Sequence, residues 1–209
     1  MKSLPTLPIM AGVQEDHADS SLALIEDKYS PFDTYQEIKV VADDLLNSRL
    51  QERFIFLNGR PGVGKTLALV GLFRLQAYVD RGVLGSGAGY YATFSGMTED
   101  IISSFGFTHS TRVAVAHYFP IKFLFLDDIS RGEKKLIDLE KIEGQIFKEI
   151  ILNRWEEKKH LICTSNYDSP TLQRMIKNVF GSYVHSRVLG SSKFIDFSDI
   201  GDQRRCKEK

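Results

Sequence analysis

Short apolar runs alternate along the chain with stretches in which apolar residues recur at helical spacing. A run of about four to eight apolar residues is typical of a buried strand, and a repeat every three to four residues is typical of an amphipathic helix. The runs predict five strands, over 53–58, 90–94, 121–126, 160–164 and 193–197. The helical repeats predict helices around 38–46 and over 65–81, 98–105 and 140–158, with a further helix that begins at Ser169 and Pro170.

Strands that alternate with helices in this way predict an α/β fold, in which a mainly parallel sheet of five strands lies between two layers of helices. With 209 residues, of which 43% are hydrophobic, the chain is long and apolar enough for one domain with a core. We expect this domain to span 29–205, followed by a tail at 206–209. Residues 1–28 hold two lysines and five acidic residues. We predict a flexible acidic segment there, with a partner-docking peptide as the alternative.

The charge balance and the cysteine count exclude several classes of protein. Lysine and arginine together number 27, as do aspartate and glutamate, so the formal charge is zero. This argues against a strongly basic nucleic-acid-binding protein, although a local basic patch is compatible with it. Two cysteines are too few for a disulfide framework, and no apolar stretch approaches the ~18 residues of a membrane span. We therefore predict a cytoplasmic protein without a membrane segment.

The segment from Gly59 to Thr66 reads G-R-P-G-V-G-K-T and matches the phosphate-binding pattern G-x-x-x-x-G-K-[ST] in full. It follows a predicted strand and opens a predicted helix. Glycines let main-chain N–H groups converge on phosphate oxygens, the lysine reaches the β- and γ-phosphates, and the threonine hydroxyl is offered to Mg²⁺. The predicted nucleotide contacts of the loop are Gly59, Arg60, Pro61, Gly62, Val63, Gly64, Lys65, Thr66 and Leu67.

Polar residues follow two other predicted strands where each one ends. Asp127 and Asp128 come after an apolar run, and in P-loop enzymes the first acid at such a position holds Mg²⁺, here together with Thr66. The second acid lies near the γ-phosphate and is predicted to act as a general base toward water. Asn166 follows the next apolar run, and its amide is predicted to orient the attacking water. A turn of the Asx type before Ser169 is the alternative for Asn166.

Together these segments resemble AAA+ P-loop ATPases of the additional-strand class, and in particular the bacterial helicase loaders of the DnaC and DnaI type and the related IstB transposition helpers. The segments that carry the resemblance are 59–66, 126–130, 146–154, 164–166 and 181–188. The resemblance implies that Asp127 and Asp128 are the Walker B acids and that Asn166 is sensor 1. It also implies that Arg187 is the arginine finger, and that Arg204 or its neighbour at 205 contacts the γ-phosphate in the same subunit.

The same resemblance implies a biochemical function. It predicts a protein that binds and hydrolyses ATP with Mg²⁺, forms a homo-oligomer when ATP is bound and acts on a replicative helicase, with single-stranded DNA as a candidate ligand. A transposase is the alternative client. Helicase loaders usually carry a separate helicase-binding domain, whereas 28 residues come before the ATPase region here, and no helical lid domain is expected after it. A small P-loop kinase is the third hypothesis, after the loader and the transposition helper. However, a kinase lid is rich in arginines, and Arg174 is the only arginine between Asn166 and Arg187.

Some of these residues also have purely structural interpretations. Phe94, Phe105 and Phe107 are candidates for stacking on DNA bases, yet we prefer core packing for them because the net charge is neutral. For Arg187, the alternative to a role in a neighbouring subunit is a surface ion pair with Asp196.

Overall fold

The computed structural model describes residues 32–80, 89–105, 111–130 and 142–202. Five strands lie in this part of the chain: β1 (Phe54–Asn58), β2 (Gly89–Thr93), β3 (Phe123–Asp127), β4 (His160–Ser165) and β5 (Ser192–Asp196). The helices are α1 (Asp33–Leu46), α2 (Lys65–Asp80), α3 (Phe94–Phe105), α4 (Thr111–Ala114), α5 (Ile142–Glu156) and α6 (Ser169–Leu189), and a 3₁₀ turn spans Ala116–Tyr118. None of these helices has the length and hydrophobicity that crossing a membrane requires.

The five strands form one parallel sheet in the order β2-β3-β4-β1-β5. Strand β4 lies between β1 and β3, although it follows both of them in the sequence. Its register places Ser165 beside Asn58 of β1, and Cys163 beside Leu126 of β3. Because all strands run the same way, their carboxyl ends share one edge of the sheet, which is where ligands bind in open α/β folds.

Helices cover both faces of the sheet, and alternate side chains of each strand point to opposite faces. In β1, Phe54 and Phe56 belong to a core cluster with residues of α3, α5 and α6. Ile55 and Leu57 belong to a second cluster with residues of α1 and α2. Strands β1, β3 and β4 are buried along their whole length, which explains their continuous apolar runs. The predicted three-layer α/β/α architecture is therefore confirmed.

The strands begin and end within two residues of their predicted bounds, and the difference at β2 has a physical reason. The pattern predicts Phe94 as the last residue of this strand, but Phe94 is the first residue of α3. Oγ1 of Thr93 accepts a hydrogen bond from the main-chain N–H of Gly96 at 3.1 Å, which caps the first turn of the helix. In α6, Gly181 has φ of 81° and kinks the helix. The short α4 and the 3₁₀ turn are not predicted from the sequence.

The ring of Phe94 packs in the core. Its side chain is buried, and its ring centroid lies 5.6 Å from that of Phe147 of α5 in a T-shaped contact. This confirms the core interpretation for Phe94. Several predictions fall on residues that lie outside the described part of the chain. They concern Phe107, residues 1–28, Arg204, Arg205, the tail at 206–209 and, of Phe105, the side chain.

A buried arginine ties α5 to the turn before β3. The guanidinium of Arg154, which is 1% exposed, donates to the carbonyl oxygens of Ile121 and Tyr118. Burial lowers the pKa of Arg154 to about 10, so the side chain stays charged at neutral pH. Charge-assisted hydrogen bonds of this kind are strong, and they hold the segment that leads into β3, whose far end carries the acid pair.

Candidate active site

The loop from Gly59 to Gly64 leaves the carboxyl end of β1 and runs into α2. Gly59, Gly62 and Gly64 have φ angles of 144°, 89° and 95°, which residues with a Cβ atom rarely adopt. At Gly59 a Cβ atom would also lie 3.0 Å from Cβ of Phe197. The path of the backbone therefore requires the glycines of the motif, and it brings the amino end of α2 to the loop.

The side chains of the loop divide into exposed and buried ones. Those of Arg60 and Pro61 are exposed, whereas those of Val63 and Leu67 are buried in the core cluster around α2. Apolar burial at these two positions anchors the loop to the domain. Val63 and Leu67 can therefore offer only main-chain groups to a nucleotide.

The ammonium group of Lys65 lies over the loop. The residue is 6% exposed, and Nζ donates to the carbonyl oxygens of Gly59 at 2.7 Å and Arg60 at 2.8 Å. Nζ also donates to Oδ1 of Asn166 at 3.0 Å. A phosphate group held by the loop would meet this cation together with the main-chain N–H groups.

Asp127 ends β3 and accepts hydrogen bonds from three hydroxyl groups. Oγ1 of Thr66 lies 3.1 Å from both carboxylate oxygens, and Oγ1 of Thr164 lies 2.6 Å from Oδ1. The phenol of Tyr91 on β2 donates to Oδ2 at 3.4 Å. Burial, and after it the charge of Asp127, raises the pKa of Tyr91 well above its usual range. The phenol therefore stays protonated and acts as a donor.

The donors around Asp127 fit a magnesium ion. A threonine hydroxyl and a carboxylate are hard oxygen ligands, and Mg²⁺ in phosphate sites takes few protein ligands, with the rest coming from phosphate and water. Thr66 and Asp127 would be those ligands. Within the described residues, no group of three His, Cys, Asp or Glu side chains is arranged to hold a metal.

Asp128 follows the last residue of β3 with φ of 52°, a left-handed conformation that aspartate tolerates better than most residues. Its main-chain N–H donates to Oγ1 of Thr164 at 2.8 Å. Its Oδ1 accepts from Oγ of Ser130 at 3.1 Å and from Nδ2 of Asn166 at 3.2 Å. Because the same amide contacts Lys65, the lysine, the asparagine and the aspartate form one hydrogen-bonded cluster.

The turn between β4 and α6 does not use the side chain of Asn166. The cap of α6 is Asp168, whose Oδ1 accepts from the main-chain N–H of Thr171 at 2.8 Å. The amide of Asn166 contacts Lys65 and Asp128 instead. The side chain of Asn166 therefore lies in the candidate site, beside Lys65 and Asp128, and does not form an Asx turn.

Arg187 lies at the opposite edge of the sheet from the loop. It lies near the end of α6, just before β5 begins. Ser192, the first residue of β5, pairs with Phe54 at the start of β1. The phosphate loop begins at the other end of β1, about 16 Å away for a strand of this length. The structure thus does not bring Arg187 to the loop of its own chain.

The guanidinium of Arg187 lies against two aromatic rings. Its Cζ is 4.0 Å from the ring centroid of Trp155 and 3.4 Å from that of Tyr183, a favourable arrangement for a planar cation. Among the described residues, no ion pair joins Arg187 to Asp196, whose carboxylate accepts from the N–H of Ser198 at 2.9 Å. In the described part of the chain, Arg187 therefore stacks on Trp155 and Tyr183 instead of forming the ion pair with Asp196.

Three hydroxyl groups of the site have no role in the sequence-based prediction. They belong to Tyr91, Ser130 and Thr164. Thr164 and Ser130 stand close to predicted strand ends, and that position is the signal by which they could be found. Tyr91 has no such signal, because its contact with Asp127 depends on the pairing of β2 with β3.

The sheet and the candidate site can be compared with solved structures. A loop with the phosphate-binding pattern follows β1, Asp127 and Asp128 stand at the end of β3, and β4 lies between these two strands. The solved structures of DnaI and of the DnaC helicase loader match the chain with TM-scores of 0.64 and 0.65. Each covers 88% of this chain, and the matches span 94% and 99% of the two structures at 17% and 19% sequence identity.

The AMPPCP-bound DnaA from Aquifex aeolicus is similar as well, with a TM-score of 0.57 over 88% of this chain and 52% of that one, at 19% identity. No family model and no curated protein matches the sequence. The similarity is therefore one of fold. At that level, the resemblance to the DnaC and DnaI type of helicase loader is confirmed.

Proposed function

We propose that the chain binds ATP with Mg²⁺, hydrolyses it, and acts as a helicase loader in DNA replication. The observation that carries this proposal is the hydrogen-bonded cluster of Lys65, Asn166 and Asp128 at the carboxyl edge of the sheet. The cluster joins a phosphate-binding cation, an amide and a carboxylate that follow three different strands. Beside it, Thr66 and Asp127 offer oxygen ligands for a magnesium ion.

Nucleotide binding would use the main-chain N–H groups of the loop and the ammonium of Lys65. The carbonyl oxygens of Gly59 and Arg60, which now accept from Nζ, are neutral. A phosphate oxygen is a stronger acceptor because it is charged. We therefore expect Lys65 to exchange these carbonyls for phosphate oxygens. Mg²⁺ held by Thr66 and Asp127 would withdraw charge from the same phosphates.

Hydrolysis needs a base and a group that orients water. The position of the Asn166 amide, between the Lys65 ammonium and the Asp128 carboxylate, supports a role in orienting the attacking water. The carboxylate of Asp128 would take a proton from this water as the water oxygen attacks the γ-phosphorus. ADP and inorganic phosphate are the products of that reaction.

We infer that Arg187 acts in a neighbouring copy of the chain. Its place at the far edge of the sheet argues against a role in its own active site, and its planar fork suits two phosphate oxygens. Contacts with Trp155 and Tyr183 orient the guanidinium at the surface, where Tyr183 is 63% exposed. A homo-oligomer formed with ATP would tie hydrolysis to assembly. Arg204 or Arg205 is the further proposed contact of the γ-phosphate.

The proposed client is a replicative helicase. The fold shared with a protein named as the DnaC helicase loader supports this choice, and residues 1–28 would supply the docking peptide. A transposase is the alternative client, since an ATPase of the same design would serve it. Single-stranded DNA is a further proposed ligand: a DnaA structure with a TM-score of 0.51 to this chain holds AMPPCP and single-stranded DNA.

A pull-down with the full chain tests the client. We expect a non-hydrolysable ATP analogue to allow recovery of a hexameric helicase from native lysate, and the Lys65→Ala variant to recover much less at the same concentration of analogue. Loss of the helicase after deletion of residues 1–26, with ATP binding retained, would support the docking peptide. Recovery of a transposase would contradict the helicase-loader function and support the function of a transposition helper. Phosphate release without any acceptor distinguishes an ATPase from a kinase, which would show almost none.

A further inference from the structure

We propose that Ser130 is a positioning residue that holds the carboxylate of Asp128 in place for attack by water. The inference rests on the proposed ATPase function and adds a residue that the loop, the acid pair and Asn166 do not include. Ser130 is 7% exposed. Its Oγ donates to Oδ1 of Asp128 at 3.1 Å and accepts from the main-chain N–H of Asn166 at 2.7 Å.

The direction of these two hydrogen bonds follows from the chemistry of the groups. A serine hydroxyl has one proton to donate and two lone pairs to accept with. The N–H of Asn166 can only donate, so the proton of Ser130 is free to point at the carboxylate. The hydroxyl thereby links the segment after β3 to the segment after β4. Nδ2 of Asn166 contacts the same oxygen of Asp128 at 3.2 Å, so two donors converge on Oδ1.

This anchoring leaves the other carboxylate oxygen for chemistry. Both hydrogen bonds that described residues make to the side chain of Asp128 go to Oδ1. Since none of the described residues donates to Oδ2, this oxygen can accept a proton from water. A displacement of about 1 Å in a reacting group can cost about 10²-fold in rate. The left-handed backbone of Asp128 is itself held by its neighbours, because a sparsely populated conformation persists only where the surrounding structure fixes it.

The other hydroxyl nearby cannot replace that of Ser130. Oγ1 of Thr164 accepts from the main-chain N–H of Asp128 and donates to the carboxylate of Asp127. It therefore holds the backbone of Asp128 and not its carboxylate. Of the described hydroxyl groups at this edge, Ser130 has the contact that fixes the orientation of the Asp128 side chain.

The test compares binding with turnover in the full chain. Ser130→Ala is expected to bind ATP within about threefold of wild type and to slow single-turnover phosphate release by about 10- to 100-fold. Ser130→Thr keeps the hydroxyl and is expected to retain most of the activity. Thr98→Val is the matched control, because it removes a buried hydroxyl outside the site, one that donates to the carbonyl of Ser95 at 2.8 Å.

Amide hydrogen exchange gives a second readout that needs no nucleotide. In Ser130→Ala, the N–H of Asn166 loses its acceptor and is expected to exchange about tenfold faster, with no change in Thr98→Val. Turnover of Ser130→Ala at the wild-type rate, a parallel loss of binding and turnover, or equal slowing in a folded Ser130→Thr would each overturn the proposal. A wild-type chain that binds ATP and releases no phosphate would instead contradict the ATPase function itself.

Discussion

The ammonium of Lys65 donates to the amide oxygen of Asn166 over 3.0 Å, although 101 positions separate the two residues in the chain. The contact exists because β4 pairs with β1, so that the residue after β4 lies beside the residue that opens α2. The same amide reaches Asp128. The proposed binding of a phosphate and the proposed activation of a water thus fall to adjacent groups, and the contribution of each group can be measured separately.

Lys65→Ala is expected to weaken ATP binding by about 10- to 100-fold, the cost of losing a hydrogen bond to a charged group. The fold should stay intact, because the buried side chains of Val63 and Leu67 still anchor the loop. Titration calorimetry measures the affinity, with Lys39→Ala on the exposed face of α1 as the control. Unchanged affinity would contradict the assignment of the loop to phosphate binding.

Asp128→Asn is expected to bind ATP nearly as the wild type does and to hydrolyse it about 10²- to 10⁴-fold more slowly, because an amide cannot take the proton of the attacking water. Affinity and single-turnover phosphate release are measured on the same preparation. Asp43→Asn makes the same chemical change at an exposed position of α1 and should alter neither. A joint fall in binding and turnover would assign Asp128 to the metal or to the fold.

A mixing experiment tests whether Arg187 acts in a neighbouring subunit. Arginine fingers contribute about 10³- to 10⁵-fold in rate, so Arg187→Ala should be nearly inactive alone. Lys65→Ala should also have little activity alone, because it binds ATP weakly. Mixed together they should recover part of the ATPase activity, since the first has an intact loop and the second an intact finger. Arg174→Ala, at an exposed position of the same helix, should behave as wild type.

Two further outcomes sharpen this test. Arg187→Lys keeps the positive charge but lacks the planar fork, so we expect it to be nearly as inactive as Arg187→Ala. This variant distinguishes a bidentate contact from the effect of charge alone. If mass measurements show mixed oligomers and no ratio of the two variants restores activity, the assignment of Arg187 to a neighbouring site is wrong.

The stability of the domain is expected to decrease at acid pH because of His160. Its ring stacks 4.7 Å from that of Phe123, and Nδ1 lies 2.8 Å from the carbonyl oxygen of Glu52. Burial lowers the pKa of His160 below its usual 6.5, and nearby cations lower it further. As the pH falls below 6.5, the unfolded chain takes up a proton that the folded chain does not. The free energy of unfolding therefore falls, by at most about 1.4 kcal/mol per pH unit for this group.

Urea unfolding at pH 7.5 and at pH 5.5 checks this expectation. His160→Gln should show a smaller loss of stability between the two conditions than the wild type, because its amide can still donate to Glu52 but does not ionise. His185→Gln, in a half-buried position on α6, supplies the background effect of replacing a histidine. The same loss in His160→Gln and in the wild type would show that another group causes it.

The sequence by itself determined the strands, the longer helices and the place of the phosphate loop. These features rest on local constraints: buried parallel strands require apolar runs, as in β1 and β3, and the loop requires glycine where φ is positive, as at Gly59 and Gly64. The polar residues at the strand ends also follow from local pattern, and for this reason the order of residues along the chain is enough to find the acid pair and Asn166.

Only the tertiary structure decided how these segments meet. No local pattern states that β4 pairs with both β1 and β3, since strand order results from long-range packing of helices on the two faces of the sheet. That pairing places Asn166 between Lys65 and Asp128 and brings its main-chain N–H to the hydroxyl of Ser130. Packing of α5 beside α6 likewise decided that Arg187 stacks on an aromatic ring, because contacts between separate helices depend on the whole fold.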